Sequence, residues 1–389
     1  MTPKRRARLA LSILCEPGDP RLPGLLSVHT PVHLVEAIQT DHRLGSDPWP
    51  ASWIHRAQRL DQRLARIERL AEAAGLRWVV PGDRSWPEGL HDLDHVEPLH
   101  GATGAPLGLW VRGIGNLADL SAISVAVVGA RDCTPYGAEA ASEIAADAAA
   151  AGITVVSGAA FGIDASAHRG ALAMGRATIA VLACDAGTDY PRAHAALLSR
   201  IAESGLIVSE QPPGQVPTKA RFLSRNRLIA GLAGGTVVVE ARRRSGSLNT
   251  LHWADRLGRP TMAVPGPVTS QQSGGTHQAV RDGKAVLVTG GPDVLSELAG
   301  IGAAEPEPVA APATEFDHLP APAQRALDAL TWHGATSARD VAVAADLGPH
   351  DAANALTLLA RRGLAERAVD GWILVRRADL ADRGGQPPT

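Results

Sequence analysis

Short apolar runs recur between residues 124 and 288, each separated from the next by a segment with helical periodicity. The runs are 124–129, 153–158, 177–184, 205–210, 236–241, 260–266 and 285–288. The intervening segments, such as 135–151 and 247–257, carry apolar residues three and four positions apart. Strands that are apolar throughout and alternate with helices are typical of a parallel sheet covered on both faces. The pattern predicts an α/β domain over residues 121–300, with an extended Rossmann-like, doubly wound and mostly parallel sheet.

The chain before this domain has a different pattern of apolar residues. Residues 8–75 show leucine, isoleucine and alanine at helical spacing until Gly75 ends the pattern. We expect residues 1–75 to form a small helical domain of the SAM or helix–hairpin–helix type. Residues 76–120 contain Pro-Gly and Trp-Pro dipeptides, which favour turns, and are predicted to be a loop-rich lead-in to the sheet.

The chain after residue 300 begins with a stretch rich in proline, alanine and glutamate, which predicts a linker over 301–315. Three short helical patterns follow, and then two strand-like runs on either side of an Asp-Gly turn. Three helices followed by a hairpin are the element order of a winged helix, which we predict over 316–377. Residues 378–389 are predicted to be disordered.

The composition is that of a globular protein, with 45% hydrophobic and 20% charged residues. Three scattered cysteines form neither a disulfide framework nor a zinc motif, which indicates a reducing compartment. The basic N-terminus resembles an export signal only in part, because its apolar run is short and Leu14 stands before Cys15 where a small residue is needed. No stretch reaches the roughly 20 apolar residues of a membrane span. We expect a cytoplasmic protein that does not associate with membranes.

Basic residues are concentrated in one part of a chain whose formal net charge is only −2. Between residues 210 and 260, nine lysines and arginines stand against three acids, so that 9 − 3 gives a local charge of +6. Such a concentration attracts phosphate groups, although a solvated helix face explains a run of charges equally well. The charge distribution therefore favours a polyanionic partner without requiring one.

The unusual residues of the predicted domain lie where its strands end, which is where open parallel sheets bind their ligands. Glycines in these loops permit close approach of the backbone, and a Ser-Gly-Ser run can open a helix with free amide groups. Several such anion sites in a row suit a polyanion better than a single phosphate. The candidate ligands are Gly129, Arg131, Gly137, Ser157, Gly158, Gly162, Lys219, Arg221, Arg225, Asn226, Ser245, Gly246 and Ser247.

Other nucleotide and metal sites are not indicated. The first strand-end loop is not a G-x-G-x-x-G motif, no acidic residue stands at the distance that holds a ribose, and no G-x-x-x-x-G-K-[ST] motif occurs. His29 and His33, like His91 and His95, have the spacing of metal ligands on a helix, but neither pair has a third ligand nearby in the sequence. We expect neither a cofactor nor a metal ion.

Several residues near the strand ends have both a functional and a structural interpretation. Arg225 and Arg227 are two positions apart and cannot share a helix face, so we expect one of them to reach the ligand and the other to pair with an acid. Asp164 is expected to cap a helix that begins at residue 165 and not to act as a base. A core or capping role and a ligand role both remain open for His168, and Glu240 is placed to orient an arginine.

Aromatic residues make up only 3% of the chain, so base stacking is expected to be sparse, with Phe222 and Tyr136 as its candidates. Binding of a nucleic acid would then depend on its backbone, with strong sensitivity to salt and little sequence preference. Cys133, in the first strand-end loop, is interpreted as a passive small residue and not as a reactive thiol.

Several motifs of the predicted domain together resemble one protein family. They are VAVVGARDCTPYG, SGAAFGIDASAHRGAL, YPRAHAALL, SEQPPG, PTKARFLSRNRLIAGLAGGTVVVEARRRSGSLNT, GRPTMAVPG and SGGTHQAV. These motifs are similar to those of the DNA-processing protein A family (DprA, also called Smf). The resemblance covers residues 120–300 in detail and 82–90 and 109–113 more loosely, and its F-x-x-R-N-R-x-I-A-G and S-G-S-L-x-T motifs are the most specific.

The resemblance implies a protein that binds single-stranded DNA and helps to load the RecA recombinase onto it, as in natural transformation, without catalysis. It also implies a homodimer formed through the Rossmann-like domain. By this resemblance, the DNA backbone is held by Arg131, Lys219 and Arg225, with backbone and hydroxyl contacts from Gly158, Gly162, Ser245, Gly246 and Ser247. Arg225 carries the family position, which leaves Arg227 as the arginine expected to pair with an acid. The chain departs from the family pattern at Trp86, at His194 and across 276–284.

Two questions remain open at the level of the sequence. Nucleotide phosphoribohydrolases share this type of sheet and carry the motif P-G-G-x-G-T-x-x-E. The corresponding segment here, AGGTVVVE, lacks the proline and places Glu240 four positions after Thr236 instead of three. A shift of one residue along a strand turns the carboxylate to the other face of the sheet. In the predicted winged helix, the recognition helix over 350–362 has its only basic residues, Arg361 and Arg362, at its end. Duplex DNA, a protein partner and a structural role are all compatible with that pattern.

Overall fold

A computed structural model describes residues 1–44, 47–299, 318–331 and 333–375. The chain divides into two compact units, Met1–Pro306 and Glu307–Thr389. The linker predicted over 301–315 and the tail predicted over 378–389 lie outside the described residues. Among the residues that are described, no helix has the length and apolar character needed to cross a membrane.

Five helices open the first unit. They are α1 (Pro3–Leu14), α2 (Leu22–Val28), α3 (Pro31–Gln39), α4 (Ala51–Ala57) and α5 (Leu60–Ala73). Helices α1 and α3 each begin with a proline after a threonine, Thr2 or Thr30, whose hydroxyl accepts a hydrogen bond from an amide of the first turn. Apolar side chains of these helices pack in one cluster with Trp78, Leu182 and Ile207 of the sheet, so the helices share a hydrophobic core with it.

The rest of the first unit is a nine-stranded sheet with helices on both faces. Its strands are β1 (Arg77–Val79), β2 (Leu109–Gly113), β3 (Ser124–Val128), β4 (Thr154–Ser157), β5 (Thr178–Leu182), β6 (Leu206–Ser209), β7 (Gly235–Val238), β8 (Thr261–Ala263) and β9 (Val286–Leu287). Its helices are α6 (Leu117–Ala122), α7 (Pro135–Ala150), α8 (Ile163–Ala173), α9 (Ala195–Ser204), α10 (Lys219–Leu232), α11 (Ser247–Arg256), α12 (Gly274–Arg281) and α13 (Gly291–Ala299). Short 3₁₀ turns cover Glu88–His95, Arg192–His194 and Gln271–Ser273.

The strand order is β1-β2-β6-β5-β4-β3-β7-β8-β9, and every pair from β6 to β9 is parallel. Six of the seven predicted apolar runs contain one of these parallel strands, and β7 begins one residue before the run at 236–241; the mostly parallel α/β sheet is confirmed. The two antiparallel strands at one edge, β1 and β2, come from the segment predicted to be rich in loops. They extend the sheet beyond the parallel part that the pattern predicts.

Alternate residues of the central strands point to opposite faces of the sheet. Val125 and Val127 of β3 are buried with side chains of α7 and α8. Ala126 and Val128 of the same strand are buried with side chains of α10 and α11. Because β3 pairs with β4 on one side and with β7 on the other, the chain leaves β3 and β7 for opposite faces and opens a crevice at their carboxyl ends.

The described residues of the second unit form three helices followed by a hairpin. These are α14 (Ala321–Asp328), α15 (Ala338–Ala344), α16 (Pro349–Arg361), β10 (Ala365–Ala368) and β11 (Gly371–Leu374). Thr336 pairs with Trp372 of β11 in an antiparallel bridge. The element order is the one that the sequence predicts, and the assignment as a winged helix stays a prediction.

Candidate nucleic-acid interface

A cavity of about 560 Å³ opens where β3 and β7 end, at the crevice expected for a doubly wound sheet. We call it the strand-end cavity. Four segments contribute lining residues: the loop after β3 from residue 129 to 132, the start of α8 with the loop before it, the first turns of α10 with the loop before it, and the loop that precedes α11. The residues of these loops are far apart in sequence, and the sheet brings them together.

Of the thirteen candidate ligands, eight line this cavity and five do not. Those that line it are Gly129, Arg131, Lys219, Arg225, Asn226, Ser245, Gly246 and Ser247. Those outside it are Gly137, Ser157, Gly158, Gly162 and Arg221. The cavity is also lined by Phe222, a candidate for base stacking, and by Asp164. The lining residues that the sequence analysis does not single out are Val128, Ala130, Asp132, Ala160, Pro217, Thr218, Leu223, Ile229, Arg242, Arg244 and Thr250.

The strand-end cavity carries an excess of positive charge. Arg131, Lys219, Arg225, Arg242 and Arg244 line it, and the acids among the lining residues are Asp132 and Asp164. Asp132 is paired with Arg242. Arg131, Lys219 and Arg244 are exposed, and within the described part of the chain they form no ion pair. These side chains are therefore available to an anion in solution.

Two helices begin at the cavity and add partial positive charge to it. Helix α10 begins at Lys219, and α11 begins at Ser247 after Gly246, which provides no side-chain cap. The Ser245 hydroxyl accepts a hydrogen bond from the Ser247 amide at 3.3 Å. Free amide groups and the helix dipole make such N-termini binding sites for phosphate. The Ser-Gly-Ser run thus lies where its predicted role requires.

Arg225 lies at the floor of the cavity and is only 6% exposed. Its Nη1 donates to the carbonyl oxygen of Gly158 at 2.9 Å and also to that of Val181. Burial lowers the pKa of Arg225 to about 10, an effect that the nearby Asp164 carboxylate opposes. In turn, burial raises the pKa of Asp164, and the charge of Arg225 works against that rise. Arg225 is therefore a buried charge held by backbone carbonyls, and its predicted contact with DNA stays a prediction.

The prediction that Arg227 pairs with an acid is confirmed. Its Nη2 lies 2.7 Å from Oε1 of Glu210, and both side chains are buried. Arg225 and Arg227 point in different directions from α10, as their spacing of two requires. Asn226, between the two arginines, also has a structural role. Its side-chain amide donates a hydrogen bond to the Gly246 carbonyl at 3.1 Å and so joins α10 to the loop before α11.

The glycines outside the cavity serve the packing of the loops against one another. A Cβ atom at Gly158 would overlap the guanidinium of Arg225, and one at Gly137 would overlap the Glu240 carboxylate. Gly162 has a φ of +76° and lies against the Ala130 carbonyl, where a side chain would not fit. These glycines therefore permit close contacts of the loops with side chains and carbonyl groups of the protein itself.

Ser157 and Arg221 are also engaged elsewhere. The Ser157 hydroxyl donates to the Val127 carbonyl at 2.7 Å between neighbouring strands. Arg221 points away from the cavity, donates to the Val216 carbonyl at 2.8 Å and lies 3.4 Å from the Glu16 carboxylate. The first-turn cation of α10 that faces the cavity is therefore Lys219.

Two expectations about the surrounding residues are wrong or need revision. Helix α8 begins at Ile163 with Gly162 as its N-cap, so Asp164 is not the cap; its carboxylate accepts a hydrogen bond from the Ala160 amide at 3.4 Å. The helix starts earlier than expected because the positive φ of Gly162 makes the turn. Glu240 does not orient an arginine: it accepts hydrogen bonds from the amide and hydroxyl of Thr134, at 2.8 and 2.7 Å, and so anchors the start of α7.

His168 is a core histidine. It is fully buried, its Nδ1 lies 2.8 Å from the Thr178 hydroxyl, and burial lowers its pKa to about 3. Among the aromatic candidates, Phe222 lines the cavity with the Arg131 guanidinium 4.5 Å from its ring centre. Tyr136 lies outside it and donates its hydroxyl to the Pro265 carbonyl at 2.7 Å. Phe222 is therefore the aromatic side chain placed to contact a ligand of this cavity.

Comparisons with known proteins identify the family. A family model described as DNA recombination-mediator protein A matches residues 77–299. A putative DNA processing protein DprA of Mycobacterium tuberculosis is 37% identical over 387 residues, which cover 96% of this chain and 95% of the relative. DprA of Streptococcus pneumoniae is 42% identical over 50% of this chain and 67% of its own length.

Solved structures agree with this result. The X-ray structure of S. pneumoniae DprA matches with a TM-score of 0.61 and 32% identity, covering 76% of this chain and 98% of that one. A structure of Helicobacter pylori DprA matches with a TM-score of 0.50 and 26% identity, covering 58% of this chain and 97% of that one. The family match runs from β1 to α13 and contains the whole sheet and the strand-end cavity. The chain belongs to the DNA recombination-mediator protein A family.

Proposed function

We propose that this protein binds the sugar–phosphate backbone of single-stranded DNA in the strand-end cavity and acts as a recombination mediator. The observation that carries the proposal is the convergence of three exposed cations, Arg131, Lys219 and Arg244, with the N-termini of α10 and α11. None of the three has an acidic partner among the residues that the structure describes. Positive side chains and helix N-termini are the two features by which proteins hold phosphate groups. The H. pylori relative is described as binding single-stranded DNA, which supports the same ligand here.

The lining residues favour the backbone over the bases. Phe222 is the one aromatic side chain among the residues that line the cavity, and the Arg131 guanidinium lies over its ring. A single stacking position contributes about 1–3 kcal/mol and distinguishes bases poorly. The proposed binding is therefore strongly dependent on salt and nearly independent of sequence.

The proposal includes no chemistry on the strand. Asp132 and Asp164, the carboxylates of the cavity, are engaged by Arg242 and by the Ala160 amide. Glu240, on which the phosphoribohydrolase alternative depends, is buried with both oxygens bonded to Thr134. As the family resemblance implies, we include RecA as the recipient of the bound strand and a homodimer formed through the Rossmann-like domain.

Neighbouring arginines provide a matched test. Arg244 lines the cavity, whereas the adjacent Arg243 is exposed and does not. Fluorescence titration of a labelled oligo(dT) at several salt concentrations measures affinity and its salt dependence. Each lost phosphate contact lowers the slope of log affinity against log salt by about 0.7 for single strands, so Lys219→Ala with Arg244→Ala should lower it by about 1.4. We expect Arg243→Ala to match the wild type. A double variant that binds like the wild type at every salt concentration would refute the site.

A further inference from the structure

A second basic surface lies beside the strand-end cavity, on the N-terminal helices. Two adjoining grooves of about 190 and 390 Å³ share Arg63 and are walled by the loop around residues 213–215. We call them together the arginine groove. Its arginines are Arg56, Arg59, Arg63, Arg66 and Arg221.

The charges of α5 are separated onto opposite sides of the helix. Arg59, Arg63 and Arg66 stand at positions i, i+4 and i+7, which share one face. The acids Asp61 and Glu68 face α1 instead, where they lie 3.5 and 3.7 Å from Arg6. Within the described residues, the three arginines of the groove face form no ion pair, and Arg59 and Arg66 are exposed. Their own helix therefore leaves this positive face without neutralising charge.

One carboxylate belongs to the arginine groove. Glu16 lies 2.6 Å from Arg56 and 3.4 Å from Arg221, so it joins α4 to the start of α10. Among the described residues that line the grooves, five arginines oppose this single acid, and 5 − 1 leaves a charge of +4. Glu16 organises two of the arginines without cancelling the positive charge of the others.

The first turn of α10 separates the arginine groove from the strand-end cavity. Lys219 and Phe222 face the cavity, and Arg221 faces the groove. Thr218 and Leu223 line the cavity and also a surface depression that includes Arg221. A ligand that leaves the cavity over this turn therefore reaches Arg221, which lines the same groove as Arg63 of α5.

We propose that the arginine groove binds the continuation of the same DNA strand that occupies the strand-end cavity, which rests on the function proposed above. From Arg59 to Arg66 the helix advances about 10 Å, so its cations form a row along the groove and not a single point. A row of unpaired arginines suits a chain of phosphates, and the apolar lining among the described residues is limited to Ile13, Cys15, Ile67 and neighbouring prolines. The N-terminal helices thereby lengthen the binding site.

Strand length separates the two sites experimentally. The full chain is titrated with oligo(dT) of about 6 nucleotides, which fits the strand-end cavity, and of about 30 nucleotides, which spans both sites. The variant is Arg59→Ala, Arg63→Ala and Arg66→Ala together. The control removes the same number of charges through Arg176→Ala, Arg200→Ala and Arg281→Ala. These arginines are exposed and precede β5, β6 and β9, at the amino ends of the strands and away from the strand-end cavity. Thermal unfolding verifies that both variants are folded.

The expected result is a loss confined to the long strand. Three lost phosphate contacts lower its log–log salt slope by about 2, so the ratio of variant to wild-type affinity changes about 20-fold between 50 and 200 mM salt. The short strand and the control variant should bind like the wild type. An unchanged slope for the long strand, or an equal loss for both strands, overturns the inference while leaving the strand-end cavity intact. If the wild type binds neither strand, the proposed function itself fails.

Discussion

The contact between Gly158 and Arg225 gives a sharp test of how the cavity floor is built. A Cβ atom at Gly158 would overlap the guanidinium of Arg225. Gly158 does not have a positive φ, so alanine is compatible with its backbone. The Gly158→Ala substitution should therefore act through the arginine, which must leave its place between the carbonyls of Gly158 and Val181.

The magnitude follows from the bonds that are lost. Two hydrogen bonds from a charged group contribute about 1.5 kcal/mol each, so displacing Arg225 costs about 3 kcal/mol. Replacing glycine by alanine recovers up to about 1 kcal/mol, because it restricts the unfolded chain. We expect Gly158→Ala to lower the free energy of unfolding by about 2 kcal/mol.

Urea unfolding followed by tryptophan fluorescence measures this difference as a shift of the midpoint at constant m-value. Gly246→Ala is the matched control, because a Cβ atom there has no neighbour within 4 Å and Gly246 has helical backbone angles. It should leave stability unchanged or raise it slightly. If Gly158→Ala unfolds at the wild-type urea concentration, Arg225 is not held by these carbonyls and the reasoning fails.

Two other buried groups make further predictions. Arg227→Met leaves the Glu210 carboxylate buried without its partner and should lower the free energy of unfolding by about 3–5 kcal/mol. Adding Glu210→Gln should restore most of that loss, as measured by a double-mutant cycle in urea. A double variant that recovers no stability argues against a buried ion pair. Burial lowers the pKa of His168 to about 3, so in acid the unfolded chain takes up a proton at this residue before the folded protein does. The stability that neutral His168 contributes is therefore complete above pH ~6.5 and is lost as the pH falls toward 3, by up to about 1.4 kcal/mol per pH unit. Unfolding titrations between about pH 6 and pH 4 should thus have a shallower pH dependence for His168→Gln, and an equal slope would contradict the neutral core histidine.

Much of the candidate site could be predicted because it depends on local geometry. The opposite directions of Arg225 and Arg227 follow from helical spacing alone, and the structure pairs Arg227 with Glu210. The Ser-Gly-Ser run was recognisable as a helix start, and α11 begins at Ser247. The start of α8 was misplaced because Gly162, with its positive φ, turns the chain before Asp164 is reached.

Other features depended on segments that are distant in sequence. Gly158 and Gly162 lie in a strand-end loop where glycine permits close approach of a ligand, yet the space beside them is filled by Arg225 and by the Ala130 carbonyl. Arg221 belongs to the same basic stretch as Lys219, but Glu16, 205 positions away, draws it to the other side of α10. No local pattern indicates which cation of a helical turn meets the ligand and which meets another part of the protein.

The sequence by itself determined the parallel sheet, the alternation of its strands with helices, and the carboxyl ends of the strands as the place where the cavity opens. It did so because a strand buried on both faces must be apolar throughout, and an amphipathic helix must repeat every three to four residues. The tertiary structure alone decided which glycines pack against protein, which arginines are buried or paired, and that α5 presents Arg59, Arg63 and Arg66 beside α10. These outcomes depend on how loops and helices from distant segments pack around the sheet. The spacing of residues within one segment does not predict that packing.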